Sequence, residues 1–272
     1  MTAALRTEIR KITTTRAWWI NAAVMGAYML VLAAIMAASF VFSLRAEGGA
    51  TTGLPGGAVL DPESVASSVY TLAVALGYIF PAVLGVLVVT SEFRHRTITP
   101  TLLAEPRRTV VLVGKSIAVA PFAIVVSLVG VLGTVIGGAG TLALMGEPTF
   151  LGDSAMLRTI AMSVVALAVW ALVGVGFGTV LTNQVAAIVV LLVFTQFVEP
   201  LLRILLAQFD ATQTVSKFLP GAAGEAIAGS SLYVSSGLAE LLTAWQGVLV
   251  LLGYAVVFLV IGRLTTFRRD IG

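Results

Sequence analysis

Gly114–Lys115–Ser116 has the residues with which a phosphate-cradling loop ends, and it is the first place to look for chemistry in this 272-residue chain. In the motif G-x-x-x-x-G-K-[ST], the leading glycine lets the backbone wrap its N–H groups around phosphate. That position is Thr109 here, and the segment runs on into an uncharged apolar stretch. No ATP binding of this kind is expected, and no cofactor is expected on the chain. The single histidine, His95, lies among arginines, so neither a nucleophile–base pair nor a multi-histidine metal site can be assembled around it. Cysteine is absent, which excludes disulfides, thiolate metal sites and thiol nucleophiles. Asn183, Gln184, Gln196 and Glu199 border apolar stretches. They are candidates for touching a polar group of a transported substrate, with ordinary end-of-helix polarity as the alternative.

The elements that carry these residues are membrane spans. The sequence is 58% hydrophobic and 11% charged, against about 25% charged in soluble domains. Its mean hydropathy is +1.04. A helical span needs about 20 mostly apolar residues, and a charge at its centre is costly, so charge-free runs measure the spans. Those runs are 17–44, 64–91, 116–146, 159–198 and 241–262. The run 159–198 fits two helices with Thr182–Asn183–Gln184 between them. The expected fold is therefore an all-α integral membrane domain over 1–272, with six spans at 17–44, 64–91, 110–138, 156–181, 185–207 and 241–264. No ionisable residue is expected deep in a span, which argues against ion-coupled transport. The first run is too long for a signal-peptide core of about 7–15 residues and reads as a retained span.

Charge sets the orientation. Segments 1–16, 92–115 and 263–272 carry twelve of the sixteen Lys and Arg residues but four of the thirteen acids. This positive-inside bias places both termini in the cytoplasm. It also accounts for the sequence pI near 9.5, so nucleic acid is not an expected partner. In residues 1–16, Leu5, Ile9 and Ile12 share one helical face opposite Arg6, Arg10 and Lys11. That pattern suits an interfacial helix, with Trp18 and Trp19 at headgroup level. Segment 208–240 holds Phe218–Leu219–Pro220–Gly221–Ala222–Ala223–Gly224, too apolar for a solvated loop and too short to span. An external re-entrant or amphipathic segment fits it. Gly133-x-x-x-Gly137 and Gly174-x-x-x-Gly178 permit close helix approach, within the chain or in a dimer. Pro81 and Pro121 are expected to kink their spans.

Loop 92–109 is the segment whose chemistry suggests a macromolecular partner. Thr97 or Thr99 can cap a short helix, Pro100 fits its first turn, and Pro106 helps end it. Ile98, Leu102 and Leu103 would form an apolar patch with a basic rim, suited to docking on another protein. Fixing topology and touching anionic lipid is the plainer role for the arginines, but it requires no proline-bounded helix with leucines.

Glu92–Phe93–Arg94, Thr97–Ile98, Thr101–Leu102–Leu103, Pro106, Arg107–Arg108 and Lys115 resemble the first cytoplasmic loop of bacterial ABC-2-type transporter permeases. Glu8–Ile9–Arg10–Lys11 with Thr14–Thr15–Arg16 resembles that family's connecting helix, and Leu219–Pro220–Gly221–Ala222–Ala223 its external segment. The resemblance implies that the loop is a coupling helix seated on a separate ATP-binding cassette subunit, which binds ATP and Mg. It also implies a second permease copy, or a related permease, in the same bacterial cell membrane. Glu92, Arg94, Thr97, Thr101, Leu102, Leu103, Arg107 and Arg108 are then the expected contact residues, with Glu8 and Lys11 on the connecting helix. Many members have glycine before the coupling-loop threonine, where this chain has Arg96. The expected function is a non-catalytic permease subunit of an ATP-driven exporter. The apolar, glycine-rich spans favour a hydrophobic or amphipathic cargo such as a drug, antibiotic or lipid. An ion-coupled secondary transporter, or a non-transporting anchor or sensor subunit, is the alternative.

Overall fold

The computed structural model describes residues 2–46, 62–208, 214–231 and 240–268. All regular structure in these residues is helical. Five helices or helical stretches are long and apolar enough to cross a membrane: Ala17–Arg45, Arg108–Leu144, Ser154–Val180, Gln184–Leu206 and Ala244–Thr265. In chain order the elements are α1 (Thr2–Thr14), α2 (Ala17–Ala46), α3 (Pro62–Tyr70), α4 (Leu72–Leu76), α5 (Ile79–Arg94), α6 (Ile98–Ala104), α7 (Arg108–Leu144), α8 (Ser154–Val180) and α9 (Gln184–Val193). A π-helical turn, Phe194–Val198, joins α9 to α10 (Glu199–Ala207). α11 (Pro220–Ala228) and α12 (Ala244–Thr265) follow.

The expected continuous span 64–91 is instead broken into α3, α4 and α5. The cause of the second break is local. Pro81 has no N–H to give the Gly77 carbonyl, which accepts from Phe80 at 3.1 Å in a tighter turn. Pro81 thus falls in the first turn of α5, where proline is tolerated, rather than kinking a helix interior. α5 alone is 16 residues, about 24 Å at 1.5 Å per residue, short of a hydrocarbon core of about 30 Å. Pro121 does lie inside a continuous helix, α7.

α7 and α8 form the centre, with α2 against α7, α5 and α12 against α8. The glycine pairs are used inside the chain. Gly133 and Gly137 of α7 abut the α2 backbone at Gly26 and Leu30. Gly174 and Gly178 of α8 abut the α5 backbone at Ala82 and Val86, and Gly85 returns the contact against Ala171. Helices this close gain dispersion and exclude lipid from the seam. Around the seam Trp170 stacks on Tyr78, ring centroids 4.4 Å apart.

α1 buries the face that its periodicity marks: Ile12 is buried, and Leu5 and Ile9 pack against the core. Trp18 turns inward onto Phe122 with its indole nitrogen buried, whereas Trp19 is exposed. α11 is buried along its whole length. It packs against α8 and α12, while 209–213 and 232–239 on either side lie outside the described residues.

Gly174→Val should drive α8 off the Ala82 carbonyl and cost at least about 1–3 kcal/mol, the usual range for overpacking. Gly140→Ala, which meets nothing within 4 Å on the same kind of helix, should be neutral or stabilising by up to about 1 kcal/mol. Thermal unfolding of the two variants in one detergent checks the contrast.

Candidate functional site

Four helices meet where the basic segments converge, and a buried charge cluster joins them. Lys115 lies two turns into α7 and is completely buried. Its Nζ donates to Glu8 Oε2 of α1 at 2.8 Å and to the Val88 carbonyl of α5 at 3.2 Å, and pairs with Glu92 Oε1 of α5 at 2.8 Å. Lys11 of α1, half-buried, donates to Glu8 Oε1 at 2.6 Å, to Glu92 Oε1, and to Thr101 Oγ1 of α6 at 3.1 Å. Two ammoniums and two carboxylates balance, which is what lets the four charges leave water together. Burial disfavours the Lys11 ammonium, but the bonds to Glu8 and Glu92 outweigh it and hold the amine above the usual lysine range. Lys115 is thus a helical residue committed to two carboxylates.

α6 itself forms where expected, with Pro100 in its first turn and Glu105–Pro106 beyond its end. Thr97 occupies the N-cap position but makes no capping bond with its side chain. Before it, Arg96 adopts φ +56°, the left-handed turn that glycine usually takes, and so fills that role at a steric cost of about 1–2 kcal/mol. Of the three apolar residues, Ile98 is buried with Leu112 and Phe267, and Leu102 packs against that group. Leu103 alone projects, at 78% exposed. The expected three-residue patch is a single exposed leucine on an anchored helix.

The remaining contact candidates divide between surface and interior. Arg94, Thr97 and Arg107 are exposed, while Thr101 and Arg108 are partly so. Arg107 grips Glu105 with Nε at 2.9 Å and Nη2 at 3.2 Å, and this hydrogen-bonded pair holds the Glu105 carboxyl below its ordinary range. Glu8 and Glu92 are each 4% exposed, so they tie the helices together rather than facing outward. A groove of about 570 Å³ opens between α1 and α5, lined among others by Arg16, Arg94, His95, Thr97 and Gln184.

Asn183 and Gln184 belong to this same end. The Asn183 side chain caps α9 by accepting from Ala186 N at 3.1 Å, and Gln184 accepts from Arg94 at 3.3 Å. Gln196 and Glu199 lie in and just beyond the π turn, about 18 Å and 22 Å along the helix from Gln184. The four polar candidates therefore do not form one site.

Glu199 belongs to a second cluster that reading charge-free runs missed. The helix continues through Ala207, which puts Glu199 and Arg203 inside the apolar stretch Gln184–Leu206. Arg203 Nη2 meets Glu199 Oε1 at 2.9 Å, and Nη1 meets Glu225 Oε2 of α11 at 2.9 Å. All three residues are at most 7% exposed. Glu199, expected as a border residue of the span 185–207, is instead buried with Arg203 inside it, against the expectation of no ionisable residue deep in a span. Glu199 and Arg203, four apart on one helix face and of opposite charge, were the available signal; their partner Glu225 is too distant in sequence to read.

No protein-family model matches the sequence, and no curated protein matches it. The chain is an all-helical protein with five candidate membrane-spanning helices, hence a multi-pass membrane protein.

Lys115→Ala leaves Glu8 and Glu92 buried with one ammonium between them. It should cost about 3–5 kcal/mol, the range for breaking a buried pair. Adding Glu92→Gln should recover part of that loss by restoring charge balance. Denaturant or thermal unfolding of the single and double variants measures both.

Proposed function

We propose that this chain is the membrane-spanning permease subunit of an ATP-driven exporter in a bacterial cell membrane. ATP would be hydrolysed on a separate ATP-binding cassette subunit, and this chain would catalyse nothing. The observation that carries the reading is α6: an exposed Leu103 with basic neighbours, on a helix whose base is bonded to α1, α5 and α7 through Lys11, Thr101, Glu92 and Lys115. A partner pressing on Leu103 would move the cluster as a body and with it the cytoplasmic ends of three longer elements. α3–α4–α5 would supply the sixth crossing, both termini would be cytoplasmic, and a second permease copy would complete the pathway. The apolar walls favour a hydrophobic or amphipathic cargo such as a drug, antibiotic or lipid.

The triad Glu199–Arg203–Glu225 favours a second reading, an ion-coupled secondary transporter, because such proteins keep ionisable groups at membrane depth. Transport abolished by an uncoupler at constant ATP would select that reading; transport that follows ATP alone would select the exporter.

Affinity purification of the tagged chain from its native membrane in mild detergent, followed by mass spectrometry, should recover an ATP-binding subunit in stoichiometric amount. Leu103→Asp should reduce that recovery at least tenfold, because a hot-spot contact contributes about 2 kcal/mol or more. Its exposure means the fold should be unaffected. Recovery of the chain alone under several gentle conditions would contradict the proposal.

A further inference from the structure

The two buried charge clusters differ in their arithmetic. The cytoplasmic one has two lysines and two glutamates and is neutral. The Glu199–Arg203–Glu225 cluster has one guanidinium for two carboxylates. Lys217, the other cation of segment 199–240, pairs with Glu240 at the surface at 2.6 Å. Asp210, outside the described residues, is an acid and brings no positive charge.

Other groups around the triad do not supply it either. Tyr78 of α5 donates to the Thr195 carbonyl at 2.8 Å, Tyr254 of α12 donates to the Phe218 carbonyl at 3.1 Å, and Ser231 bonds Glu225 Oε2. None of these carries a cation. An uncompensated charge so deeply buried in an apolar helix is costly by several kcal/mol, and neutralisation is the usual way out.

The donors to Glu199 all fall on one oxygen. Its Oε1 accepts from Arg203 Nε and Nη2, from Gly221 N at 2.6 Å and from Ala222 N at 3.2 Å. Its Oε2 is buried and accepts from nothing, although the residue is 1% exposed. A carboxylate spreads its charge over both oxygens. The donors on Oε1 favour a carboxylate, and the bare Oε2 is where a proton would sit. Glu92 Oε2 is bare too, but its cluster has two ammoniums for two carboxylates, so the charge count sets the triad apart. No space is available for a larger cation beside Oε1, since a single Cβ on Gly221 would meet Glu199 Oε1 at 2.6 Å and Arg203 Nη2 at 2.5 Å.

We propose that Glu199 and Glu225 share one proton around Arg203, so that the triad is a proton-binding site within the membrane-spanning region. The proton belongs to the coupled pair rather than to one residue. Arg203 joins α10 to α11 through both carboxylates, so a proton entering or leaving changes the strength of that junction. This site stands whether ATP or an ion gradient drives the protein.

Infrared spectroscopy of the purified chain in lipid nanodiscs tests it directly. At neutral pH, where solvated carboxyls are ionised, the wild type should show the carbonyl stretch of a protonated carboxyl group. The band should be lost in both Glu199→Gln and Glu225→Gln, because either change leaves one carboxylate for one guanidinium. Size-exclusion behaviour and helical circular dichroism of the variants report their folding. A wild-type spectrum without the band overturns the proposal whatever the variants do, and so does a band that survives in both folded variants.

Discussion

The buried bonding of Lys115 to Glu8 and Glu92 is the constraint on which the half of the molecule that holds α1 and α6 depends. An ammonium with no exposure is tolerable only where carboxylates meet it, and those carboxylates come from α1 and α5. α1 must therefore lie across the base of α7, and α5 must end beside it. Lys11 then closes the arrangement by reaching Glu92 and Thr101, which fixes α6. Apolar packing alone, with Ile12, Leu5 and Ile9 beneath α1, would allow the helix to slide; four charges that must be matched in position do not.

The opposite half is organised by a different economy of charge. There Oε1 of Glu199 in α10 accepts from the free N–H groups at the start of α11, doing for a buried helix what a capping side chain does at a surface. Pro220 at the first position has no N–H to satisfy, and Gly221 leaves room for the Glu199 and Arg203 side chains. Glycine seams between α2 and α7 and between α5 and α8 connect the two halves by backbone contact, so a displacement at one end meets little soft material on its way to the other.

The sequence disclosed what depends on local pattern. The helical face Leu5–Ile9–Ile12, the proline-bounded α6 and the apolar character of the segment around Pro220 could all be read because each is specified by residues within a turn or two. The break at Gly77–Tyr78 was hidden because the run 64–91 is uniformly apolar, and hydropathy does not register a missing backbone N–H. Lys115 looked like a topological cation because its partners stand 107 and 23 residues away, at Glu8 and Glu92. Glu199 and Arg203 fell within the expected span 185–207, but Glu199 was read as a polar border residue; its burial and its link through Arg203 to Glu225 required the fold. Ile98 and Leu103 could not be told apart as buried and exposed without the packing of Phe267.

The charge cluster makes α1 and α6 parts of one rigid body with α5 and α7. The chain has no cysteine, so cysteines placed at exposed Arg10 and Leu103 would carry two spin labels without background. Electron–electron double resonance on that pair should give one narrow distance distribution in the otherwise native chain, and a broad one when Lys115→Ala is added. A broad distribution in the native background, or one that Lys115→Ala leaves unchanged, would contradict the account.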